Sequence, residues 1–528
     1  MKKWLKRISI AALVVVIAAV AAATLFADNL RKMFGASADS LAGTDNVSMR
    51  AHVSSNTLEM KKMMNFAQNN AYGDAPSTGN TYAPLPPSPT IDTRADRFST
   101  FAIDVDTASY SRSRREILEG RWPAKGGVRV EEWVNAFKYQ LDAPPKQPFA
   151  ISVEGAPSPF TEGHTLLKVS LQGRQVANAD RATAHLVFLV DTSGSMSGPD
   201  RIELAKKSMR ILTENLNPRD TVSIVTYAGG VSDVLPPTPA ENKQRILEAI
   251  DSLNTGGGTA MQSGMAIAYR HAQELRAPGH VSRVLVFTDG DANIGSSTPD
   301  QILASVRDEV KSGVTLTAVG FGMGNYRDDM MERLADAGNG QCVYIDSIDE
   351  AKKVFQTNLS GTLQVIAKDV KVQVEFDPDA IRSYRLLGYE DRDVADKDFR
   401  NDEVDGGEIG AGHSVTALYD VVLTGKASSL GTVRVRGKLP EASEAFEVAR
   451  AVTSRDLTGD LDRASTELRF AVAVGIAADV VRGNAADPQA MLARAMRLAS
   501  DSTRNLPERR EFIALLDRLV EHERVASR

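Results

Sequence analysis

In the middle of the chain, short apolar runs ending on a polar residue alternate with stretches where apolar residues recur every third or fourth position. The runs are 184–190, 221–227, 283–288, 314–320 and 341–345. Each is apolar on both faces, as expected of strands in a parallel sheet covered on both sides. Between them, Ile202, Ala205, Met209, Leu212 and Leu216 make one stripe. Met261, Met265, Ala268, Ala272 and Leu275 make another. Both stripes have the period of amphipathic helices and read as core faces rather than a groove for a partner. Asn325 is placed to cap a helix over YRDDMMERLADAG, and Gly338 to stop it. This alternation over 182–358 predicts an α/β domain with a doubly wound, mostly parallel sheet.

The flanks follow a different rhythm. DVKVQVEF, YRLLGYE, HSVTALYDVVL and LGTVRVRGKL alternate with period two and read as strands. FAISVEGAPSPF and HTLLKVSLQG, before the central region, do the same. Neither set completes a sheet alone. The expectation is one β-rich module built from both flanks, with the α/β domain inserted between strands near 149–172 and strands beyond 360. RFSTFAIDVDTASYSRSRREILEG reads as a short strand, a cap at Thr107 and a helix. VRVEEWVNAFKY reads as a second helix with Val130, Trp133, Val134 and Phe137 on one face. From about 462 the pattern is helical: LRFAVAVGIAADVV, MLARAMRLAS and FIALLDRLVEH. The domains expected are therefore 96–181, 182–358, 359–461 and a helical region over 462–528.

The first residues belong to another class. Lys2, Lys3, Lys6 and Arg7 precede an apolar run from Ile8 to Ala27. That run is long enough to span a bilayer, and its charge places the rest of the chain outside the cytoplasm. Residues 1–27 are expected to be an uncleaved membrane anchor, with Ala21-Ala22-Ala23 as a cleavage option that would leave a periplasmic protein. Residues 28–95, rich in Asn, Ser, Met, Thr and Gly and ending in APLPPSPT, read as a disordered tether.

Composition narrows the function. The 528 residues are 42% hydrophobic and 25% charged, ordinary values for several globular domains. A net charge of −6 offers no footprint for nucleic acid. The single cysteine, Cys342, excludes an internal disulfide and a cysteine metal cluster. It lies in the apolar QCVYI and reads as a core residue.

The candidate chemistry sits in AHLVFLVDTSGSMS, where an apolar run stops at Asp191 and hydroxyls follow at Ser193 and Ser195. A strand that ends on an acid and turns into a helix puts these groups at the sheet's carboxyl edge, where open α/β folds bind ligands. Thr259 follows in NTGGGTA, a glycine-rich turn before a helix, and Asp289 ends RVLVFTDG, a second apolar strand stopping on an acid. Carboxylates and hydroxyls are hard donors, suited to Mg2+ or Mn2+ rather than zinc. Asp and Ser also favour turns and caps for local reasons.

Taken together, the three segments resemble the metal-ion-dependent adhesion site of von Willebrand factor type A domains, over about 182–358. The resemblance implies that Asp191, Ser193, Ser195, Thr259 and Asp289 surround one divalent cation, directly or through water. It also implies an open coordination position that a carboxylate, Asp or Glu, of a partner protein completes. FAIDVDTASYS and VRVEEWVNAF, with RLLGYEDR and GEIGAGHSVTALY, resemble a bacterial subfamily whose companion domains have poorly known function. The function implied is a membrane-tethered, extracytoplasmic binding protein and not an enzyme. Three catalytic alternatives are weaker. DTSG resembles the aspartic-protease motif, but no second D-T/S-G follows to complete a carboxylate pair. Asp104 and Asp106 suggest a haloacid-dehalogenase-type phosphatase, but Thr107 stands three residues after Asp104 where that motif has four. Metal-assisted hydrolysis lacks a His or acid at motif spacing to act as base.

Overall fold

The computed structural model describes residues 86–526 except 104–105, 259–260, 291–298, 312, 323–327, 405, 426–427 and 441. The expected anchor, most of the tether, Asp104, Thr259 and Asn325 lie outside the described residues. Among those described, no helix is long and apolar enough to cross a membrane.

The central sheet runs in the order Cys342–Tyr344, Val314–Gly320, Val281–Thr288, Ala184–Asp191, Thr221–Tyr227, Val231–Pro239. The first five strands are parallel, and the last is an antiparallel edge. Ala184–Asp191 is buried at every position. One face packs Phe188, Leu285 and Phe287 against Met209 and Leu212. The other packs Val187, Val284 and Val286 against Met265 and Ala268. Both methionine stripes are therefore core, each buried side chain contributing about 1.5–3 kcal/mol. The chain goes from Ala184–Asp191 to one neighbour and later returns to Val281–Thr288 on the other side. The order reverses between these two strands, which makes their carboxyl ends the switch-point crevice.

The flanks form one module of two antiparallel sheets. One is ordered Ile91–Asp92, Ile381–Leu387, Ser414–Leu423, Thr165–Gly173, Phe149–Pro157. The other is ordered Ile409–Gly410, Val365–Phe376, Ser429–Lys438, Ala445–Thr453, with Phe98–Ala102 also paired to Val365–Phe376. Thr165–Gly173 pairs with Ser414–Leu423 in unbroken register from Thr165↔Val421 to Gln172↔Ser414. The inserted arrangement read from the period-two runs is thus present. Val169, Leu171, Val374, Phe376, Tyr384, Tyr419 and Val433 fill the space between the sheets. Helices Thr466–Arg482, Pro488–Ser500 and Pro507–Ala526 bury Phe470, Val474 and Leu516 with Leu166, Leu418, Trp133 and Phe137 in a further core. The chain leaves for the central domain and returns against one residue pair: Gly412 N donates to Arg174 O (2.9 Å) and Ala411 N to Gln364 O (2.8 Å).

Several local expectations are corrected. Order begins before Asp96: Ile91 pairs with Tyr384, and Thr93 is buried with its hydroxyl on Arg382 O at 3.0 Å. Thr107 holds the cap position of helix Ala108–Leu118 without a side-chain cap bond. Glu132 Oε2 accepts from Ser109 N there instead, at 2.8 Å. The second helix spans only Val130–Asn135. Strands Val231–Pro239 and Ala445–Thr453 and helix Lys243–Asp251 were not expected.

Candidate metal centre

Asp191 closes the central strand and Asp289 follows the neighbouring strand Val281–Thr288, so the switch point brings both carboxylates to one crevice. Both are buried. After Asp191 the backbone turns through the short helix Gly194–Met196. The turn is fastened on two sides. Thr192 N donates to Tyr227 O (2.9 Å), and Gly194 N to Gly257 O (3.2 Å), while Gly256 N donates back to Thr192 O (2.8 Å). The glycine-rich turn is therefore tied to the Asp191 loop just before Thr259. Gly257 has φ +85 and would carry a Cβ 3.0 Å from Gly229 N, so a larger residue is strained there.

The Asp191 carboxylate is held in a fixed pose. Its Oδ1 accepts from Ser193 N at 2.9 Å and its Oδ2 from Thr288 Oγ1 at 3.0 Å. Gly290 N donates in turn to Thr288 Oγ1 at 3.1 Å. Burial pushes the Asp191 carboxyl up to about 6, opposed by the hydrogen bonds from Ser193 and Thr288 and aided by the Asp289 charge. Tyr227, buried nearby, is held well above its usual pKa by burial and then by Asp191. A cation between the two acids would reverse this, favouring both carboxylates.

Ser193 Oγ and Ser195 Oγ stand 2.9 Å apart. Adjacent oxygens of an octahedral Mg2+ shell with bonds of 2.0–2.1 Å lie about 2.9 Å apart. The two hydroxyls thus have the bite of neighbouring ligands, beside a carboxylate with lone pairs to spare. Among the described residues no three His, Cys, Asp or Glu side chains cluster as a metal site, so the donor set here is hydroxyl and carboxylate. The residues fit Mg2+ or Mn2+.

Of the five expected residues, the structure brings Asp191, Ser193 and Ser195 together and sets Asp289 beside them. Thr259 lies outside the described residues. Two neighbours were missed. Thr288 precedes Asp289 in FTDG and could have been noticed from that adjacency. Arg201, which no motif marks, donates from Nη1 to Ser195 O (3.0 Å) and reaches Asp289 Oδ2 at 3.9 Å. A companion helix also reaches the rim. Arg115 bonds Asp200 Oδ2 (2.7 Å) and Tyr344 Oη (3.2 Å), and the Tyr344 hydroxyl donates to Gly322 O. Cys342 is buried in the core, its N donating to Asp106 Oδ1 at 2.6 Å.

Sequence comparison adds relatives. Residues 185–357 match the family described as von Willebrand factor type A domain. Residues 76–168 match one described as von Willebrand factor, and 361–430 one described as the C-terminal part of the uncharacterized protein YfbK. The chain is 39% identical over 378 residues to the uncharacterized protein YfbK of Escherichia coli, covering 70% of this chain and 66% of that one. It is 27% identical over 286 residues to human inter-alpha-trypsin inhibitor heavy chain H4, covering 52% of this chain and 28% of that one. A solved von Willebrand factor type A protein from Catenulispora acidiphila is 20% identical, with TM-score 0.41, over 72% of this chain and 91% of that one.

Proposed function

The chain belongs to the von Willebrand factor type A domain proteins, and from that premise we propose that it binds a partner protein through a divalent cation. Asp191, Ser193, Ser195, Thr259 and Asp289 would hold Mg2+ or Mn2+. The cation would leave one position for an Asp or Glu of the partner. A metal with hydroxyl ligands and few charged ones stays electrophilic towards such a carboxylate. This chain's own contribution is to fix Asp191 by two hydrogen bonds and to aim the serine hydroxyls. The observation that carries the reading is the 2.9 Å Ser193–Ser195 pair beside the buried Asp191 at the switch point. Residues 1–27 would anchor the protein, and the polar tether that follows would let the folded part search near the membrane, outside the cytoplasm.

Isothermal titration of the full chain with Mg2+ and Mn2+ tests the metal. About one equivalent should bind to wild type and none to Asp191→Ala. Unchanged affinity in that variant rejects the site. Capture of a partner from envelope extract should occur in Mg2+ and fail in EDTA and with Ser193→Ala/Ser195→Ala. Metal-dependent turnover of a peptide or phosphoester, absent from that double variant, would favour a hydrolase instead.

A further inference from the structure

We propose that a cleft at the end of the central sheet opposite the metal loop binds a phosphate-class anion, anchored by Arg283. The cleft has a volume of about 1130 Å3 and lies where the strands Val281–Thr288 and Val314–Gly320 begin, against the companion sheet. That volume suits a small organic phosphate as well as the free ion. Arg276, His280, Arg283 and Lys311 line it from the central domain, and Lys368 and Glu408 from the companion side. Basic groups thus outnumber acids among the described residues.

Arg283 is the decisive group. Its side chain is 3% exposed. Nη1 donates to Thr317 Oγ1 at 3.0 Å, and Nε is buried with no hydrogen-bond partner. It forms no ion pair among the described residues. Burial pulls the guanidinium below its usual pKa, and the Glu408 charge acts in the opposite direction. A buried charge costs several kcal/mol unless paired. Three other deeply buried arginines are paired with acids: Arg181 with Asp220, Arg509 with Glu467 and Arg114 with Asp346. Unlike those three, Arg283 has no acid partner among the described residues, and it lines a cleft. Ser282 Oγ and Thr315 Oγ1, in the same lining, are buried without a hydrogen-bond partner.

The neighbours supply the rest of the field. Lys311 is engaged with Asp308 (2.8 Å), and Lys368 with Pro440 O (2.7 Å). Arg276 is exposed and joins no ion pair among the described residues. Its Nε and Nη2 lie 3.1 Å from where a Cβ of Gly313 would be, so Gly313, with φ +87, leaves it room. A fork of guanidinium donors matches the oxygens of a phosphate bidentately, which a chloride cannot reproduce. The phosphate could be free or carried by a lipid headgroup.

The test uses the full chain in EDTA, which keeps the metal site out of the readout, at constant ionic strength. Inorganic phosphate and dihexanoyl-phosphatidylglycerol below its micelle concentration are titrated separately, by calorimetry and by melting. At least one should bind wild type and raise its Tm, and which one does so identifies the source. Affinity should fall at least about tenfold in Arg283→Met, the loss expected from a charge-assisted bond. Without anion, Arg283→Met should melt no lower than wild type, because a buried unpaired charge is gone. Should that variant not fold, the exposed Arg276→Gln decides, and it too should weaken binding. The proposal falls if neither ligand acts on wild type beyond an equal ionic strength of chloride, or if binding persists unchanged in the variants.

Discussion

Asp191 concentrates the energetics of the metal crevice in one residue. Its carboxyl is pushed up to about 6, above the ordinary 3.8, because it is buried beside Asp289. Between pH 4 and pH 6 the metal-free fold therefore binds more protons than the unfolded chain. Acidification from pH 7 then stabilises the apo protein through this group, by about 1.4 kcal/mol per pKa unit. Saturating Mg2+ selects the carboxylate and reverses the sign, so the holo protein loses stability as pH falls. Urea midpoints at pH 5 and 7, in EDTA and in Mg2+, measure this. Other acids titrate too: burial raises the half-buried Asp396 to about 6 and the fully buried Asp106 to about 8. The decisive quantity is therefore the difference from Asp191→Asn. Wild type minus variant should change sign between the two media, and an equal difference in both would contradict the argument. Mg2+ affinity should also weaken below pH 6, by at most about tenfold per unit.

At the scale of elements, close backbone approach decides what each segment tolerates. A Cβ on Gly340 would lie 1.5 Å from Leu316 O, and one on Gly338 2.5 Å from the Leu316 side chain. The ladder of Leu316 N to Gly338 O (2.8 Å) and Ala318 N to Gln341 O (3.0 Å) holds this turn against the sheet. Gly340→Ala should cost about 3 kcal/mol or more, the upper range of overpacking. Gly230→Ala, where a Cβ meets nothing, should cost under about 0.5 kcal/mol. Comparable losses in both would show that the approach does not matter. The same scale explains what could be read from sequence. Strands buried on both faces, such as Ala184–Asp191, announce themselves as apolar runs that end on the site acids. Val231–Pro239 hid because Pro236 and Pro237 argue against a strand, and an edge tolerates them where the missing N–H faces no neighbour. Ala445–Thr453 hid because Arg450 falls on the same side as Phe446, Val448 and Val452, while alanines share the exposed side with Glu447, so the apolar–polar alternation is blurred. Asp191, Ser193, Ser195 and Asp289 were legible as motif residues, but Arg201 and Arg115 reach the rim through tertiary contacts that no local pattern encodes.

Across the whole described fold, buried charge pairs join the inserted domain to its companion module. Arg114, on companion helix Ala108–Leu118, holds Asp346 at 3.0 Å and Glu350 at 3.1 Å, with its side chain 6% exposed. Arg129 reaches Glu332 at 2.8 Å, and Arg392 bridges the buried companion residue Asp106 (3.0 Å) and the exposed Asp336 of the inserted domain (2.9 Å). Removing one partner of a buried pair costs about 3–5 kcal/mol, because the charges left behind keep their burial and lose their counterion. These links should make both parts unfold together. In wild type, one transition is expected in both near-ultraviolet dichroism and tryptophan fluorescence. Mg2+ at a hundredfold excess over Kd should move all of it, adding about 2.7 kcal/mol. In Arg114→Ala, Asp346 and Glu350 keep their burial without the guanidinium, although Lys353 still lies 3.3 Å from Glu350. The central domain should then separate as an earlier transition, and Mg2+ should shift that one alone. The two chain ends meeting at Ala411 and Gly412 permit this, since the module's strands pair with each other across the insertion. Two transitions already present in wild type, with Mg2+ acting on one, would show that the buried pairs do not couple the domains. A single Mg2+-sensitive transition surviving in Arg114→Ala would show that the remaining links through Arg129 and Arg392 suffice.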